Sequence, residues 1–504
     1  MTQVRTRFAP SPTGGLHLGG VRTALYSFLF AKKHHGKFIL RIEDTDQNRY
    51  VEGAEKYIAD CLAWCSIQAD ESPEKGGEYA PYRQSERKEI YKQYALQLIA
   101  SGHAYYAFDT PEELEQMRNE QKTADNPSPQ YDHQLRMKMK NSLNLLPQEV
   151  EALLAAKTPF VVRIKIPQNE IISFEDMIRG EISNDSNLLD DKVLLKADGM
   201  PTYHLAVVVD DYLMSISHAF RGEEWLPSAP VHILLWKYLG WENKMPRWAH
   251  LPLILKPDGN GKLSKRDAER LGFPIYAMDW TGTNQETTKG FKEIGFMPEA
   301  FINLLAMLGW SSTEAREIFS MEDLIEKFSI ERVHKGGAKF DYEKAKWYNH
   351  EWIKLSDATH LLPMVKWIYT QHKIDYKSEE LLLTVIALVK ERCILLNDFV
   401  LQGAYFFDTP QQFDYEAVKP KWDDTKRLFF DDLILQFEQM TKWSATDIES
   451  IFKNLAAEKN IKPGELQLPF RVMLVGGKFG PAVFQIAEII GREETIKRCR
   501  LFTL

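Results

Sequence analysis

Within its first 45 residues the chain runs strand, loop, helix, strand, and that order commits it to a parallel sheet. "QVRTRF" at 3–8 reads as a strand, and "KFILRIED" at 37–44 reads as a buried one, dense in β-branched and aromatic residues. Between them, "VRTALYSFLFAKKHHG" continues a helix expected from about Leu18 to His35. Parallel strands cannot be joined by a tight turn, and a crossover helix makes the three elements a βαβ unit. The remaining stretch, "FAPSPTGGLHLGG" from Phe8 to Gly20, suits neither helix nor strand. It sits beyond the carboxyl end of a parallel strand and at the mouth of a helix, where open α/β sheets bind ligands.

The α/β pattern is then interrupted and resumes. Helices are expected at 54–67 and 85–101, and Thr110, Pro111 and Glu113 form a helix-start signature. The polar stretch 118–150, broken by "DNPSPQ", departs from the alternation, so 102–188 reads as an insertion that also holds the strand "FVVRIKIP". A hairpin is expected in "DKVLLKADGMPTYHLAVVVDDY", with "YHLAVVVDD" as its buried second strand. "SHAFRGEEW" reads as a strand, "SAPVHILLWKYLG" as a helix from Ser228 to Gly240, and "HLPLIL" as a further strand. Beyond about residue 290 the apolar residues recur at helical spacing. At 504 residues the chain exceeds what one hydrophobic core supports. The expected fold is α/β: a split Rossmann-type parallel-sheet domain, an inserted α+β subdomain and an all-α C-terminal region. The expected boundaries are 1–101 and 189–255 for the two halves of the sheet domain, 102–188 for the insertion, 256–330 for a connecting region and 331–504 for the helical part.

Composition narrows the function classes. No apolar run approaches the ~18 residues of a membrane span, and "MTQVRTRFAP" lacks the apolar core of a signal peptide. Four cysteines in 504 residues make no disulfide framework, so a cytoplasmic protein is expected. A net charge of −8 argues against a protein coated in nucleic acid, although basic stretches at 132–141, 419–427 and 496–500 offer local patches. Each of those stretches is equally an ordinary solvated helix face.

Two glycine-rich loops point to phosphate. Gly14, Gly15, Gly19 and Gly20 let backbone approach a ligand, the helix N-terminus after them favours an anion, and His17 can donate to phosphoryl oxygens. After the last strand, "LKPDGNGKLSKRDAERLG" (255–272) carries Lys262, Lys265 and Arg266 around Ser264. A mobile loop of that kind can close cations over a triphosphate. Singly, the first is also a loop with a capping histidine and the second a basic turn; together they are harder to read as coincidence.

The pair resembles the HIGH and KMSKS signatures of class I aminoacyl-tRNA synthetases. "RFAPSPTGGLHLGG", "RIEDTD", "PTYHLAVVVDD", "RGEEW" and "KLSKR", with "RVHKGGAKFDYEKAKWYN" at 332–349, are similar to the glutamyl-tRNA synthetase family over essentially the whole chain. The resemblance implies that ATP and L-glutamate form a glutamyl-adenylate and pyrophosphate, and that the acyl group moves to the 3′ end of tRNA-Glu with release of AMP. It implies ATP as a substrate with Mg2+, contacts to the acceptor stem and anticodon of tRNA-Glu, no membrane partner, and a monomer. His17, Lys262 and Lys265 are the implied catalytic residues, with Lys265 toward the leaving pyrophosphate. Ala9, Pro10, His17, Gly19, Gly20, Glu224, Trp225, Lys262 and Lys265 are the implied ATP contacts. Arg7, Ser11, Glu43, Tyr203 and Arg221 are implied for glutamate, Glu43 at its ammonium and Arg221 at its side-chain carboxylate, which a planar guanidinium suits. Gly20 departs from the pattern, because many class I enzymes carry a second histidine there; backbone N–H groups then take more of the phosphate load.

The resemblance places the acceptor end on the insertion and the anticodon on the helical region, where Trp422, Tyr415, Phe429, Arg427, Lys426 and Arg471 offer stacking and basic groups. Some family members bind zinc in the insertion, but "GHAYYAFDT" has no cysteine and only His103 and His133 lie near, so neither structural zinc nor another metal site is expected. Cys61 and Cys65 read as buried thiols. "LVGGKFG" (474–480) lacks the Lys-Ser/Thr ending of a P-loop and reads as a helix–helix turn. The nearest rivals are a glutaminyl-tRNA synthetase, whose relatives usually carry β-barrel anticodon domains, and an enzyme that also charges tRNA-Gln with glutamate. A nucleotidylyltransferase shares the histidine turn but not the long helical tail. Intact His17, Lys265 and Arg221 speak against a non-catalytic RNA-binding paralogue.

Overall fold

A computed structural model describes residues 3–124, 126–282 and 284–502. By internal contacts the chain divides into two units, Met1–Glu293 with Phe301–Tyr342, and Ile294–Ala300 with Glu343–Leu504.

The first unit grows from the expected βαβ. Strand β1 (Arg5–Phe8) lies parallel to β2 (Lys37–Leu40), Arg5 opposite Lys37 and Phe8 opposite Leu40, with α1 (Leu18–Lys33) crossing between them. Lys32 and Lys33 close α1 where its dipole favours cations. The return is tight at Gly36, where a Cβ would lie 2.2 Å from the backbone oxygen of Val4. That close approach lets Lys37 donate its N–H to Val4 at 2.8 Å and start the strand pairing.

Helices α2 (Ala54–Trp64) and α3 (Lys88–Ala100) follow, and the chain then leaves the central sheet. It forms β3 (Ala104–Ala107), α4 (Pro111–Gln121), α5 (Pro147–Ala155) and β4 (Val161–Ile164). The helix-start signature is realised: the Thr110 hydroxyl accepts from the Glu113 N–H, and the Glu113 carboxylate accepts from the Thr110 N–H at 2.7 Å. Next come the hairpin β5 (Ile171–Asp176) and β6 (Gly180–Asp185), β7 (Val193–Leu195), α6 (Tyr203–Leu213), β8 (His218–Gly222), α7 (Ala229–Tyr238), β9 (Arg247–Leu251), β10 (Ile254–Leu255) and α8 (Lys265–Leu271). The six-stranded sheet has the order β2-β1-β8-β9-β5-β6, parallel throughout except for the edge strand β6.

Two expectations change here. Residues 203–213 are helical, not the second arm of a hairpin. The run "HLAVVVDD" is β-branched, and its buried positions run unbroken from Leu205 to Asp211, so no amphipathic period marks the helix. The helical turn also separates two adjacent acids. Asp210 accepts from Gln84, Arg87 and Tyr91 and Asp211 from Arg7 and Arg41, with Arg41 Nε also 3.9 Å from Asp210. The second change concerns the stretch 102–188. Its strands β3 and β4 join β7 in a separate three-stranded antiparallel sheet, but β5 and β6 complete the central sheet beside β9. Sheet membership therefore crosses the expected boundary, and Asp176 arrives at the carboxyl-end rim.

The first unit also holds the short hairpin β11 (Trp280–Thr281) and β12 (Thr287–Thr288), helix α10 (Met321–Lys327), and β13 (Ala338–Lys339), which pairs in parallel with β10. Helix α9 (Pro298–Met307) begins in the second unit's segment and continues in the first. The second unit is helical: α11 (Tyr342–Leu355, from its second residue), α12 (Ala358–Gln371), α13 (Glu379–Val389), α14 (Asp398–Gly403), α15 (Tyr415–Val418), α16 (Asp424–Gln439), α17 (Ala445–Glu458), α18 (Pro463–Val475), α19 (Val483–Ile490) and α20 (Arg492–Leu501). Phe429, Phe437, Phe452, Phe470 and Phe484 form a continuous aromatic core linking α16 to α19. Residues 476–480 are the expected turn. Gly476 has φ +79°, and the Arg471 guanidinium donates to the carbonyls of Phe479, Gly480 and Pro481.

Replacing Gly36 with alanine is expected to lower the unfolding free energy of the first unit by about 1–3 kcal/mol, the usual cost of forcing atoms into a packed site. Urea denaturation followed by circular dichroism measures it, and an unchanged midpoint contradicts the close approach of α1's exit to β1.

Candidate active site

The carboxyl-end rim of the parallel strands opens into a cleft of about 1110 Å³. Strand register sets a row of polar side chains at this rim, of which Arg7 and Arg221 line the cleft and the others lie behind it. Arg41 follows β2, Arg7 is the third residue of β1, Arg221 lies on β8 opposite His250 of β9, and Asp176 ends β5. Only Arg7 and Arg221 of this row are among the expected site residues.

The left half of the row is charge-balanced. Asp211 accepts from Arg7 Nε at 3.0 Å and from Arg41 Nη1 at 2.8 Å, and Arg41 Nη2 donates to Glu43 at 3.0 Å. Arg7 Nη1 is spent on the Phe220 carbonyl at 3.0 Å. Burial pushes the Glu43 carboxyl above its usual range, against the pull of Arg41 and Arg7. Burial acts the same way on Asp211, but its two arginines overcome it and hold that carboxyl below its usual range. Glu43 and Asp44 both line the cleft, and the Asp44 carboxylate is committed to the Ser85 N–H, from which it accepts at 2.8 Å. "RIEDTD" thus divides between the site and a cap on the short helical turn at 84–87.

The right half is not balanced. Arg221 donates Nε to His250 Nε2 at 2.8 Å, and Nη1 to His232 Nδ1 at 3.0 Å and to the Tyr203 hydroxyl at 3.2 Å. Its Nη2 is buried without a partner, and none of its contacts is a carboxylate. Among other buried arginines, Arg5 pairs with Glu71, Arg7 with Asp211, Arg87 with Asp210 and Arg136 with Asp191, whereas Arg22 rests on the Leu308 and Pro252 carbonyls. Arginine only donates, so the imidazole nitrogens facing it are acceptors. The other ring nitrogens then carry the protons. His250 Nδ1 donates to Asp176 at 2.6 Å, and His232 Nε2 donates to His204 Nδ1 at 3.2 Å. All three rings are neutral. Burial first, then the Arg221 charge, holds His232 well below the usual imidazole range, burial lowers His250, and burial brings His204 down to about 4.

The loop Ala9–Gly20 forms the opposite side of the cleft, with Ala9, Pro10, Ser11, His17, Gly19 and Gly20 in its lining. His17 precedes α1 with extended ψ of 169° and makes no side-chain cap, so its ring is not occupied in capping the helix. The ring folds over Gly19, where a Cβ would come within 3.4 Å of it. Burial, reinforced by the Lys262 charge, lowers the His17 pKa and favours a neutral imidazole with one N–H to donate. Two N–H groups of the first turn are already used: Leu18 donates to the Ile275 carbonyl at 3.0 Å and Gly20 to the His17 carbonyl at 2.9 Å. At Gly20 a Cβ would lie 2.5 Å from Leu16 Cδ1, so a second histidine there requires Leu16 to move.

The basic loop is split. Lys262 lines the cleft and pairs with Glu224 at 2.6 Å, and Trp225 lies over Tyr203 with ring centroids 4.5 Å apart. Lys265 opens α8 with its ammonium 3.5 Å from Glu269 and is absent from the cleft lining. Ser264 is the N-cap of α8, in a capping box with Asp267. Sequence reasoning missed Asp176, His250, His232, Asp211 and Arg41, which act through other side chains, and Trp280, which packs on Gly15. A polar residue ending a buried strand, as in "SFED" and "WAHL", was the available signal.

Elsewhere, His103 stacks on Tyr238 at 3.9 Å, and Cys61 and Cys65 are buried, with burial pushing the Cys61 thiol up to about 12. Among the described residues no group of three or more His, Cys, Asp or Glu side chains fits a metal ion. Of the six anticodon candidates, Phe429 is in the core, Arg471 pins the 476–480 turn, and Lys426 is buried against Asp423; Tyr415 and Trp422 pack on Phe502, and Arg427 is exposed.

A model of the class I tRNA synthetase (E and Q) catalytic domain matches residues 3–347, and an anticodon binding domain model matches residues 358–502. Fold and cleft are those of a class I aminoacyl-tRNA synthetase. The glutamate–tRNA ligase of Amoebophilus asiaticus (strain 5a2) is 50% identical over 501 residues, covering 99% of this chain and 97% of its own. That of Flavobacterium psychrophilum is 51% identical over 502 residues, covering 98% of each. A crystal structure of a glutamate tRNA ligase from Elizabethkingia meningosepticum in complex with its amino acid superposes with a TM-score of 0.93 at 47% identity, covering 99% of both chains. The chain belongs to the glutamate–tRNA ligase family. No described helix is long and apolar enough to cross a membrane.

His204 and His218 are both held down to about 4 by burial, whereas the unfolded chain protonates near pH 6.5. Between those values the unfolded state binds more protons, so stability falls as pH drops from about 6.5 to about 4. His204→Gln and His218→Gln are each expected to remove up to about one proton from the pH slope of the unfolding free energy, measured by urea titrations across that window.

Proposed function

We propose that this cleft activates L-glutamate with ATP and passes it to the 3′ end of tRNA-Glu. A glutamate α-carboxylate oxygen attacks the α-phosphorus, the bond to the bridging oxygen breaks, and pyrophosphate leaves with that electron pair. A ribose hydroxyl of the tRNA then attacks the adenylate's carbonyl carbon and AMP departs. Both steps are driven by positioning and charge stabilisation and require no covalent bond to the protein.

The observation that carries the reading is the Arg221 guanidinium, buried in the cleft wall with Nη2 unpartnered and no carboxylate on it. A buried cation of that kind is completed by an anion, and glutamate's side-chain carboxylate supplies one. Tyr203 and Arg7 flank that position, and Ser11 lies in the same lining. Glu43, held by Arg41 on one oxygen, takes the substrate ammonium, whose charge also favours its ionised form. His17, Gly19 and Gly20 face the phosphates, with Ala9, Pro10 and Trp225 beside the nucleotide. Lys262 exchanges Glu224 for a phosphate oxygen, and Lys265 reaches the leaving pyrophosphate when its loop closes. Mg2+ accompanies the triphosphate as its counter-ion.

Arg221→Ala is expected to raise the glutamate KM about a hundredfold or more while leaving the ATP KM within a few-fold, the scale of a lost charged hydrogen bond with an anion left unpaired. Pyrophosphate exchange in the presence of tRNA reads both constants, and wild-type values place the carboxylate elsewhere. His17→Ala is expected to lower kcat by about 10²–10³ with little change in KM. Aminoacylation of purified tRNA-Glu and tRNA-Gln, each with glutamate and with glutamine, tests the substrate pair; charging with glutamine alone overturns the assignment.

A further inference from the structure

The Arg221 anchor is held by a relay that crosses three adjacent strands. Asp176 closes β5, His250 stands on β9, and Arg221 on β8 is directly opposite His250 in the strand register. Asp176 is fixed from several sides. It accepts from the backbone N–H groups of Ile178 and Arg179, each at 2.9 Å, and from the N–H of His250 at 3.1 Å, in addition to the imidazole. With its oxygens so saturated, the carboxylate can only accept from His250 Nδ1, which leaves Nε2 bare toward Arg221.

We propose that Asp176 and His250 are positioning residues for Arg221: they hold its Nε through a neutral acceptor and keep the Asp176 carboxylate one imidazole away, so that the substrate's own side-chain carboxylate completes the guanidinium. This rests on the reading of Arg221 as the glutamate anchor. The chemistry sets selectivity as well as aim. Were Asp176 in direct contact with Arg221, the cation would already be compensated and a neutral amide would lose little against an acid. With His250 and His232 as the acceptors, a glutamine amide can accept from Nη2 but leaves the buried charge unneutralised, whereas glutamate removes it. The imidazoles therefore act as spacers that transmit orientation without supplying charge.

The test separates this role from simple packing. In Asp176→Asn an amide N–H2 facing His250 Nδ1 draws the ring to its other tautomer, and an Nε2–H then opposes the Arg221 Nε–H. The expected result is a glutamate KM raised about tenfold or more, an ATP KM within about twofold, and a reduced ratio of kcat/KM for glutamate over glutamine. His250→Gln keeps an acceptor oxygen near the Nε2 position and is expected to retain most of the glutamate affinity, whereas His250→Leu is expected to behave like Asp176→Asn. Nitrogen-15 spectra of the imidazoles are expected to report an Nδ1–H tautomer for His250 in the parent protein and its loss in Asp176→Asn. Folded Asp176→Asn and His250→Leu with parent glutamate KM and selectivity overturn the proposal while leaving the anchor intact, provided Arg221→Ala raises that KM. If Arg221→Ala itself changes nothing, the anchor reading fails and the relay with it. Equal loss in His250→Gln and His250→Leu also overturns it, because packing rather than the acceptor then matters. Should Asp176→Asn fail to fold, the two His250 variants and the parent spectrum decide the question alone.

Discussion

A guanidinium buried without a carboxylate organises this molecule. Taking a charge out of water costs several kcal/mol even after relaxation, and a protein normally offsets that cost with a nearby counter-charge. The first unit does so repeatedly, with Arg5–Glu71, Arg87–Asp210, Arg136–Asp191 and the Arg7–Asp211–Arg41–Glu43 cluster. Arg221 is left with two neutral imidazoles and a phenol. Neutral acceptors satisfy its directional hydrogen bonds but not its charge, and the shortfall faces a cleft.

The parallel sheet makes that arrangement affordable to build. Parallel pairing brings the carboxyl ends of strands from distant parts of the sequence to one rim, in fixed register. Arg7, Asp176, Arg221 and His250 become neighbours although up to 243 positions separate them, the span from Arg7 to His250. Helix α6 supplies Asp211 to the balanced side and Tyr203 and His204 to the unbalanced side, because residues eight apart on a helix are two turns distant along its axis. One helix thus separates a compensated pair of arginines from an uncompensated one.

The phosphate side works under a different constraint. Lys262 and Glu224 are both largely open to solvent, and an exposed pair of that kind contributes only about 0–1 kcal/mol. So weak a contact costs little to break, which is what the proposed exchange of Glu224 for a phosphate oxygen on Lys262 requires. A capping box starts α8 immediately after the loop, so Lys265 sits on ordered backbone while its side chain remains exposed. In the proposed reaction the rigid half of the site, on strand tips, selects the amino acid, and the loosely held half, on glycine-rich backbone, follows the nucleotide.

The amino-acid order determined a great deal directly. The βαβ start, the glycine-rich loop at its turn, the basic loop after β10 and the helical C-terminal third all rest on local signals: glycine and proline placement, caps, and apolar period. Arg7, His17, Glu43, Arg221, Glu224 and Lys262 were picked out by motif and all line the cleft. The helix at 203–213 carries no such signal, because a helix buried on every side has no polar stripe to declare it. Residues 171–185 lie within the expected insertion yet join the central sheet as β5 and β6, because strand order in a sheet is not encoded by position in the chain. Asp176, His250 and His232 acquire meaning only when pairing sets them behind Arg221, since long-range register and the directions of hydrogen bonds arise from folding together segments that carry no local mark of one another.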